Sequence, residues 1–293
     1  MIDRRALLLS GAGIGAALLT GCGASGAATP PTTVADVEAR TGRRLAVHAL
    51  DTGTGATAGH RDGDRVLMCS TVKAPLAAFV LHRSVTDPGL LDRRIRYTRA
   101  DLLEHAPVTS RNVGAGMTVA QLCEAAVTVS DNTAANLLSA ATGGPGALTA
   151  WLRSLGDATT RADRTEPSLN SPDGERDTST PAAFAATLRT LVLGDALPAP
   201  HRDRLAGWLR ANTTGEGQIR GGVPAGWSVG DKTGGGNAGE KNDVGVLFPP
   251  HGAPMVLTVF SAPADPAAPA DGDRAKQAIA DATRAALAQL GRG

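Results

Sequence analysis

The chain has 293 residues, 42% of them hydrophobic and only 3% aromatic, with 29 basic against 28 acidic side chains. That length supports a large packed core filled by Ala, Leu and Val, and nothing in the near-neutral charge suggests a nucleic-acid partner, which an excess of basic residues would mark. The six histidines are scattered with no pair at ligand spacing, so no metal and no cofactor is expected.

Residues 1–21 read as a targeting segment, not as fold. Arg4-Arg5 is a charged start, and residues 6–19 form an apolar run too short to remain as a membrane span. Leu19-Thr20-Gly21-Cys22 has the form of a bacterial lipoprotein cleavage box, with Cys22 as the lipidated first residue. The paired arginines, preceded by Asp3, partly match a twin-arginine export signal, and an ordinary secretory signal cut elsewhere is the alternative. Residues 22–33 are small and polar and read as a tether. Removing residues 1–21 leaves 27 basic and 27 acidic residues. The expected location is the outer face of the cell membrane (periplasm or cell surface), anchored through Cys22 or released from it, as a monomer.

Further along, residues 45–51 alternate and read as a strand that pairs with 56–60 across the turn residues Thr52-Gly53-Thr54-Gly55. The pattern over 71–193 is helical, with Pro145 and Pro181 at helix starts. Residues 228–231, 244–248 and 255–260 read as strands, Pro249-Pro250-His251-Gly252 as a turn, and 274–290 as an amphipathic helix. Strands at both ends with helices between them predict an α+β fold: an antiparallel sheet built from both chain ends (34–65 and 197–293) and flanked by helices, with an inserted all-helical part (66–196). A site is expected in the cleft between the two parts.

Four motifs fall in order along this frame. Ser70-Thr71-Val72-Lys73 places a hydroxyl and an amine one helical turn apart, so a base stands beside a weak nucleophile. Ser130-Asp131-Asn132 separates two apolar runs; taken alone, such residues also make a helix N-cap. Glu166 and Asn170, with Pro167 between, can hold one water, and a carboxylate that takes its proton is a general base. Lys232-Thr233-Gly234 follows a strand, and Gly235 and Gly236 let a ligand lie against the backbone. The chain has four lysines against twenty-five arginines, yet two of the four stand in these motifs. Lysine can lose its proton near neutral pH and arginine cannot, so the pattern points to a proton that moves.

Together the four motifs resemble the class A serine β-lactamases, within the penicillin-recognising serine enzymes. Met68-Cys69-Ser70-Thr71, Asn132-Thr133-Ala134-Ala135-Asn136, Arg164-Thr165-Glu166-Pro167 and Glu175-Arg176-Asp177-Thr178 are similar to stretches of that family. The resemblance implies the family's fold and the hydrolysis of penicillins or cephalosporins, a bacterial antibiotic-resistance activity. It implies Ser70 as nucleophile, Lys73 as proton shuttle, Ser130 as donor to the lactam nitrogen, and Glu166 with Asn170 as the water-activating pair. It further implies Asn132, Lys232, Thr233 and Gly234 as substrate contacts, the N–H groups of Ser70 and Gly235 as oxyanion hole, and an Arg164–Asp177 pair closing the loop. His105 stands where a cleft wall is expected. The family's arginine for the substrate carboxylate is missing; Gln218 and Lys241 are the nearest matches, so either Lys241, Arg274 or Lys276 takes that role or the contact is absent. The loop after Asn170 is two residues short. The family's partner for Cys123 is absent, so Cys69 and Cys123 are expected as buried free thiols. The alternatives are a D,D-peptidase, which Glu166 and Asn170 argue against, and a β-lactam-binding sensor lipoprotein.

Overall fold

A computed structural model describes residues 33–265, 267 and 271–293; the targeting segment and Cys22 lie outside the described residues. In chain order the elements are α1 (Val34–Thr41), β1 (Arg43–Asp51), β2 (Thr57–His60), β3 (Val66–Leu67), α2 (Lys73–Thr86), β4 (Arg94–Ile95), β5 (Met117–Thr118), α3 (Val119–Thr128), α4 (Asn132–Ala141), α5 (Pro145–Ser154), β6 (Thr178–Ser179), α6 (Pro181–Val192), α7 (Ala199–Arg210), α8 (Ile219–Gly222), β7 (Ser228–Gly235), β8 (Lys241–Phe248), β9 (Met255–Pro263) and α9 (Gly272–Gln289).

The main sheet is antiparallel in the order β2-β1-β9-β8-β7, so strands from both chain ends do pair with one another. Its two faces are both covered. Ala46, Val244, Val246, Val256 and Phe260 join Phe79, Leu81, Leu138 and Leu188 in the larger core, on the side of α2–α7. Leu45, Val47, Ala49, Leu257 and Val259 pack on the opposite face against Val37 of α1 and Ala278, Ile279 and Ala282 of α9. Alternate residues of one strand thus enter different cores, which is why β9 is apolar along most of its length.

Helix starts follow local chemistry. Thr118 and Gln121 form a capping box for α3, Asp131 caps α4, and Thr180 caps α6 with Pro181 in the first turn. The stretch 71–193 is less helical than its pattern predicts. Residues 87–118 carry only short turns and the β4–β5 pair, and 155–180 form a loop that ends in the short strand β6. Apolar residues there cover the helices without following helical period. The strands are longer than expected, too. Lys232, Thr233 and Gly234 lie within β7, paired to Val244, Asp243 and Asn242. Glycine contributes the same N–H and C=O to the ladder as any residue, so the glycine run did not end the strand.

Candidate active site

The Ser70 turn is a single 3-10 turn, Cys69–Val72, leading into α2. Cys69 has φ +50°, a left-handed conformation that costs a non-glycine residue about 1–3 kcal/mol and recurs at functional sites. The turn is held from several sides. Met68 N donates to the Asp177 carbonyl at 3.0 Å, and Asn242 Nδ2 donates to the Leu67 carbonyl at 2.9 Å. β7 presses directly on it: a β-carbon at Gly234 would lie 2.9 Å from the Met68 oxygen. Only glycine allows that approach, which brings β7 against Met68, Cys69 and Thr71 on either side of Ser70.

Ser70, Lys73, Glu166 and Asn170 are buried, and they converge. Ser70 Oγ donates to Glu166 Oε1 at 3.0 Å. Lys73 Nζ lies 2.9 Å from the same oxygen. Asn170 Nδ2 donates to Glu166 Oε2 at 2.5 Å, and Asn170 Oδ1, also buried, has no partner among the protein atoms. Glu166 is clamped by its main chain: Asn136 Nδ2 donates to its carbonyl and its N–H donates to Asn136 Oδ1, both at 2.9 Å. Asn136 stands four residues past Asn132, inside a family-like stretch, but no chemistry in the sequence marks it as this clamp.

The loop bearing Glu166 is closed at its base. Arg164 Nε donates to Asp177 Oδ2 at 2.5 Å, and the N–H groups of Asp163 and Arg164 donate to Asp177 Oδ1 at 2.8 and 2.9 Å. Its shortened tip is tied to the turn after β7, where Asn237 N donates to the Asn170 carbonyl at 2.9 Å and Asn237 Nδ2 to Ser171 Oγ at 2.8 Å.

Ser130 follows α3 with φ +58°. Lys73 Nζ donates to its carbonyl at 2.8 Å, approaches its Oγ at 3.2 Å, and donates to Asn132 Oδ1 at 2.5 Å. Lys232 Nζ donates to Ser130 Oγ at 3.1 Å and to the Thr233 carbonyl at 2.9 Å. Ser130 Oγ therefore accepts from both ammonium groups, which leaves its own O–H free to be given away. Asp131 is a buried hub: its carboxylate accepts from the N–H groups of Val108, Thr109 and Ala134 at 2.9–3.0 Å. That anchors Ser130 and Asn132 on either side, so the helix-cap role and the site role coexist.

Burial holds the Lys73 amine below the usual lysine range, although Glu166 works in the opposite direction. We take desolvation to win because the pair is enclosed on all sides. Burial, then repulsion from Lys73, brings Lys232 down to about 7.

Around this centre, Thr233 Oγ1 and Thr214 Oγ1 are hydrogen-bonded at 2.5 Å, so Thr214 belongs to the site, a residue no motif marks. His105 is exposed; its carbonyl accepts the Asn132 N–H at 2.8 Å and its Nε2 contacts the Val129 carbonyl at 3.0 Å. Gln218 is buried and faces Thr214. Lys241 is registered opposite Gly235, half-buried, with Lys276 and Arg43 as its charge neighbours. Arg274 and Lys276 pair with Asp271 and Asp273 at 3.3 and 3.4 Å and are not drawn into the Ser70 group. Cys69 and Cys123 are buried free thiols, as expected.

The chain matches the model of the Beta-lactamase enzyme family over residues 30–290. It is 46% identical to Beta-lactamase FAR-1 of Nocardia farcinica over 94% of this chain and 92% of that one. It is 48% identical to the carbapenem-hydrolyzing beta-lactamase KPC of Klebsiella oxytoca, over 88% and 87%. Among solved structures, a class A beta-lactamase from Mycobacterium abscessus is 52% identical with a TM-score of 0.85, over 88% of this chain and 98% of that one. An ancestral class A beta-lactamase is 53% identical with a TM-score of 0.83, over 87% and 98%. With a serine hydroxyl, two buried amines and a clamped carboxylate brought together in the same fold, the chain belongs to the class A serine β-lactamases and hydrolyses β-lactam antibiotics, the activity that confers resistance to them.

Proposed function

We propose that hydrolysis proceeds through an ester on Ser70, with Glu166 as the base of both half-reactions. The observation that carries this reading is the Ser70 hydroxyl donating to Glu166 Oε1 at 3.0 Å while Lys73 Nζ shares that oxygen. The spacing of Ser70 and Lys73 set an amine beside the hydroxyl as its base; the hydrogen bond from Ser70 to Glu166 favours the carboxylate instead. Ser70 Oγ bonds to the lactam carbonyl carbon as its proton passes to Glu166. The N–H groups of Ser70 and Gly235 stabilise the oxyanion. The C–N bond then breaks, Ser130 gives its proton to the nitrogen, Lys73 reprotonates Ser130, and the proton on Glu166 returns to Lys73. In the second half, Glu166 takes a proton from a water held with Asn170, whose Oδ1 is the free acceptor for it. The water oxygen bonds to the ester carbon, and Ser70 leaves with the proton that Glu166 had taken.

Lys232 and Thr233 hold the substrate carboxylate in this reading, Gly234 admits it against the strand, and Asn132 contacts the amide side chain near His105. Lys241, beyond β7, adds positive field without direct contact. Lys232 has lost half its proton at about pH 7 in the free enzyme, and kcat/KM reports the free enzyme. kcat/KM is therefore expected to fall as pH rises through that value, while kcat, measured with the carboxylate already bound, holds to higher pH. In Lys232→Arg, which cannot deprotonate, the fall in kcat/KM should vanish; a limb unchanged in that variant removes Lys232 from the role.

We also propose export and lipidation at Cys22, supported by Arg4-Arg5, the short apolar run and the Leu19-Thr20-Gly21-Cys22 box. One acyl chain anchors marginally and two hold firmly, so Cys22→Ala should move most of the protein from the membrane to the soluble fraction. An unmodified Cys22 in membrane-bound protein would rule this out. Val85 is the single large hydrophobic exposed among the described residues, which supports a monomer; a dimeric mass by light scattering would contradict it.

A further inference from the structure

Two buried carboxyls stand beside the carboxylate-binding strand and take no part in the proton path. Asp231 and Asp243 share one face of the β7–β8 pair: Asp243 is registered opposite Thr233, and Asp231 opposite Gly245, so they meet on the diagonal. Gly245 makes room, since a β-carbon there would lie 3.3 Å from Asp231 Cβ. Both acids are wholly inaccessible to solvent. Asp231 is satisfied as an anion. Arg220 approaches its Oδ1 through Nε at 2.7 Å and Nη2 at 2.6 Å, and Asn212 Nδ2 donates to Oδ2 at 2.9 Å.

Asp243 has no such support. Its Oδ2 accepts the Ile219 N–H at 3.0 Å, and its Oδ1 has no protein donor. On the diagonal its neighbour is the Asp231 carboxyl, itself buried, so the unpartnered oxygen of Asp243 stands beside an anion. Two carboxylates are both acceptors, so a hydrogen bond between them needs a proton. Asp231 already holds a cation and an amide, which leaves Asp243 as the acid to carry that proton. The charged groups that act on Asp243 are Asp231 and Lys232, both of β7, with Arg220 of α8 reaching it through Asp231; across the ladder, β9 presents Val259. Burial and Asp231 both hold the Asp243 carboxyl well above the usual carboxylate range, and Lys232 opposes them.

We propose that Asp243 is a positioning residue for substrate binding: kept as the neutral acid, it donates its proton to Asp231, fixes Thr233 across the ladder, and leaves Lys232 as a cation that faces the substrate. Were both acids ionised, two anions would stand behind Lys232 against one arginine, and its attraction for a carboxylate would be spent inward. The proposal rests on the reading that Lys232 and Thr233 bind the substrate carboxylate.

Asp243→Asn copies the neutral acid, since its amide can donate to Asp231 and accept from Ile219 N. The infrared spectrum of the wild type at neutral pH should carry a protonated-carboxyl C=O band that is missing from Asp243→Asn. Stability gives a second readout. A folded-state pKa above the unfolded one contributes stability at low pH that is lost as pH rises through the folded value. The melting temperature of the wild type should therefore fall relative to that of Asp243→Asn on the alkaline side. For benzylpenicillin, Asp243→Asn should keep the wild-type KM, while Asp243→Ala, which leaves Asp231 without its donor, should raise KM about tenfold with kcat little changed. A wild type without the acid band, or an Asp243→Asn variant no better than Asp243→Ala, overturns the proposal. The band and the melting profile do not depend on where substrate binds, so failure of the Lys232 reading would appear separately, in Lys232→Arg.

Discussion

Glu166→Ala is expected to acylate with benzylpenicillin and then stall, which would convert the hydrolase into a penicillin-binding protein. The two half-reactions depend on Glu166 unequally. In the free enzyme Glu166 both accepts the Ser70 proton and helps keep the buried Lys73 charged. Without it, burial acts on Lys73 unopposed by that carboxylate, the amine more readily becomes neutral, and a neutral amine can take the Ser70 proton in its place. Ring opening continues at reduced rate. Deacylation has no such substitute, because the water proposed to attack the ester is held by Asn170 and the carboxylate, and an amide is no base. Losing a general base typically costs about 10²–10⁴-fold in rate. Intact-protein mass followed over time after mixing should show an adduct that persists for at least that much longer than in the wild type. An adduct that clears at the wild-type rate would show that another group activates the water.

Ser70→Ala should form no covalent adduct with any β-lactam, at any concentration or time. The change removes one oxygen from a buried turn and leaves its backbone hydrogen bonds in place, since Met68 and Thr71 hold the turn. Glu166 loses one donor but keeps Lys73 and Asn170. The fold should therefore survive, with a circular-dichroism spectrum and melting temperature close to those of the wild type, while turnover falls to background. A penicillin adduct on this variant would place the nucleophile elsewhere; Cys69 is adjacent, but its thiol is buried and its pKa is raised by that burial, which makes it a poor thiolate source.

The four motifs were legible because each is a short run whose chemistry sits in its residue types, and the structure links them in one chain of contacts, from Glu166 to Ser70 and Lys73 and from Lys73 through Ser130 to Lys232. The residues that hold them in place were not legible. Asn136 clamps Glu166, Thr214 bonds Thr233, and Asp243 meets Asp231 on the diagonal of the β7–β8 pair, placements that one-dimensional spacing does not encode. The sheet was readable from alternation at residues 45–51 and from its pairing partner at 57–60. The extension of β7 through Gly235 was not, because glycine reads as a turn while its backbone pairs as well as any. Helices were overextended across 87–118 and 155–180, where apolar residues serve as cover for α2, α3 and α4.

The most direct test of the account is the number of chromogenic cephalosporin molecules opened per molecule of wild-type protein. Acylation through Ser70 followed by Glu166-driven deacylation predicts continuous turnover, with product far in excess of enzyme and every molecule of protein free of adduct once substrate is exhausted. A burst of one product per protein, followed by silence and a stable adduct on Ser70, would contradict it.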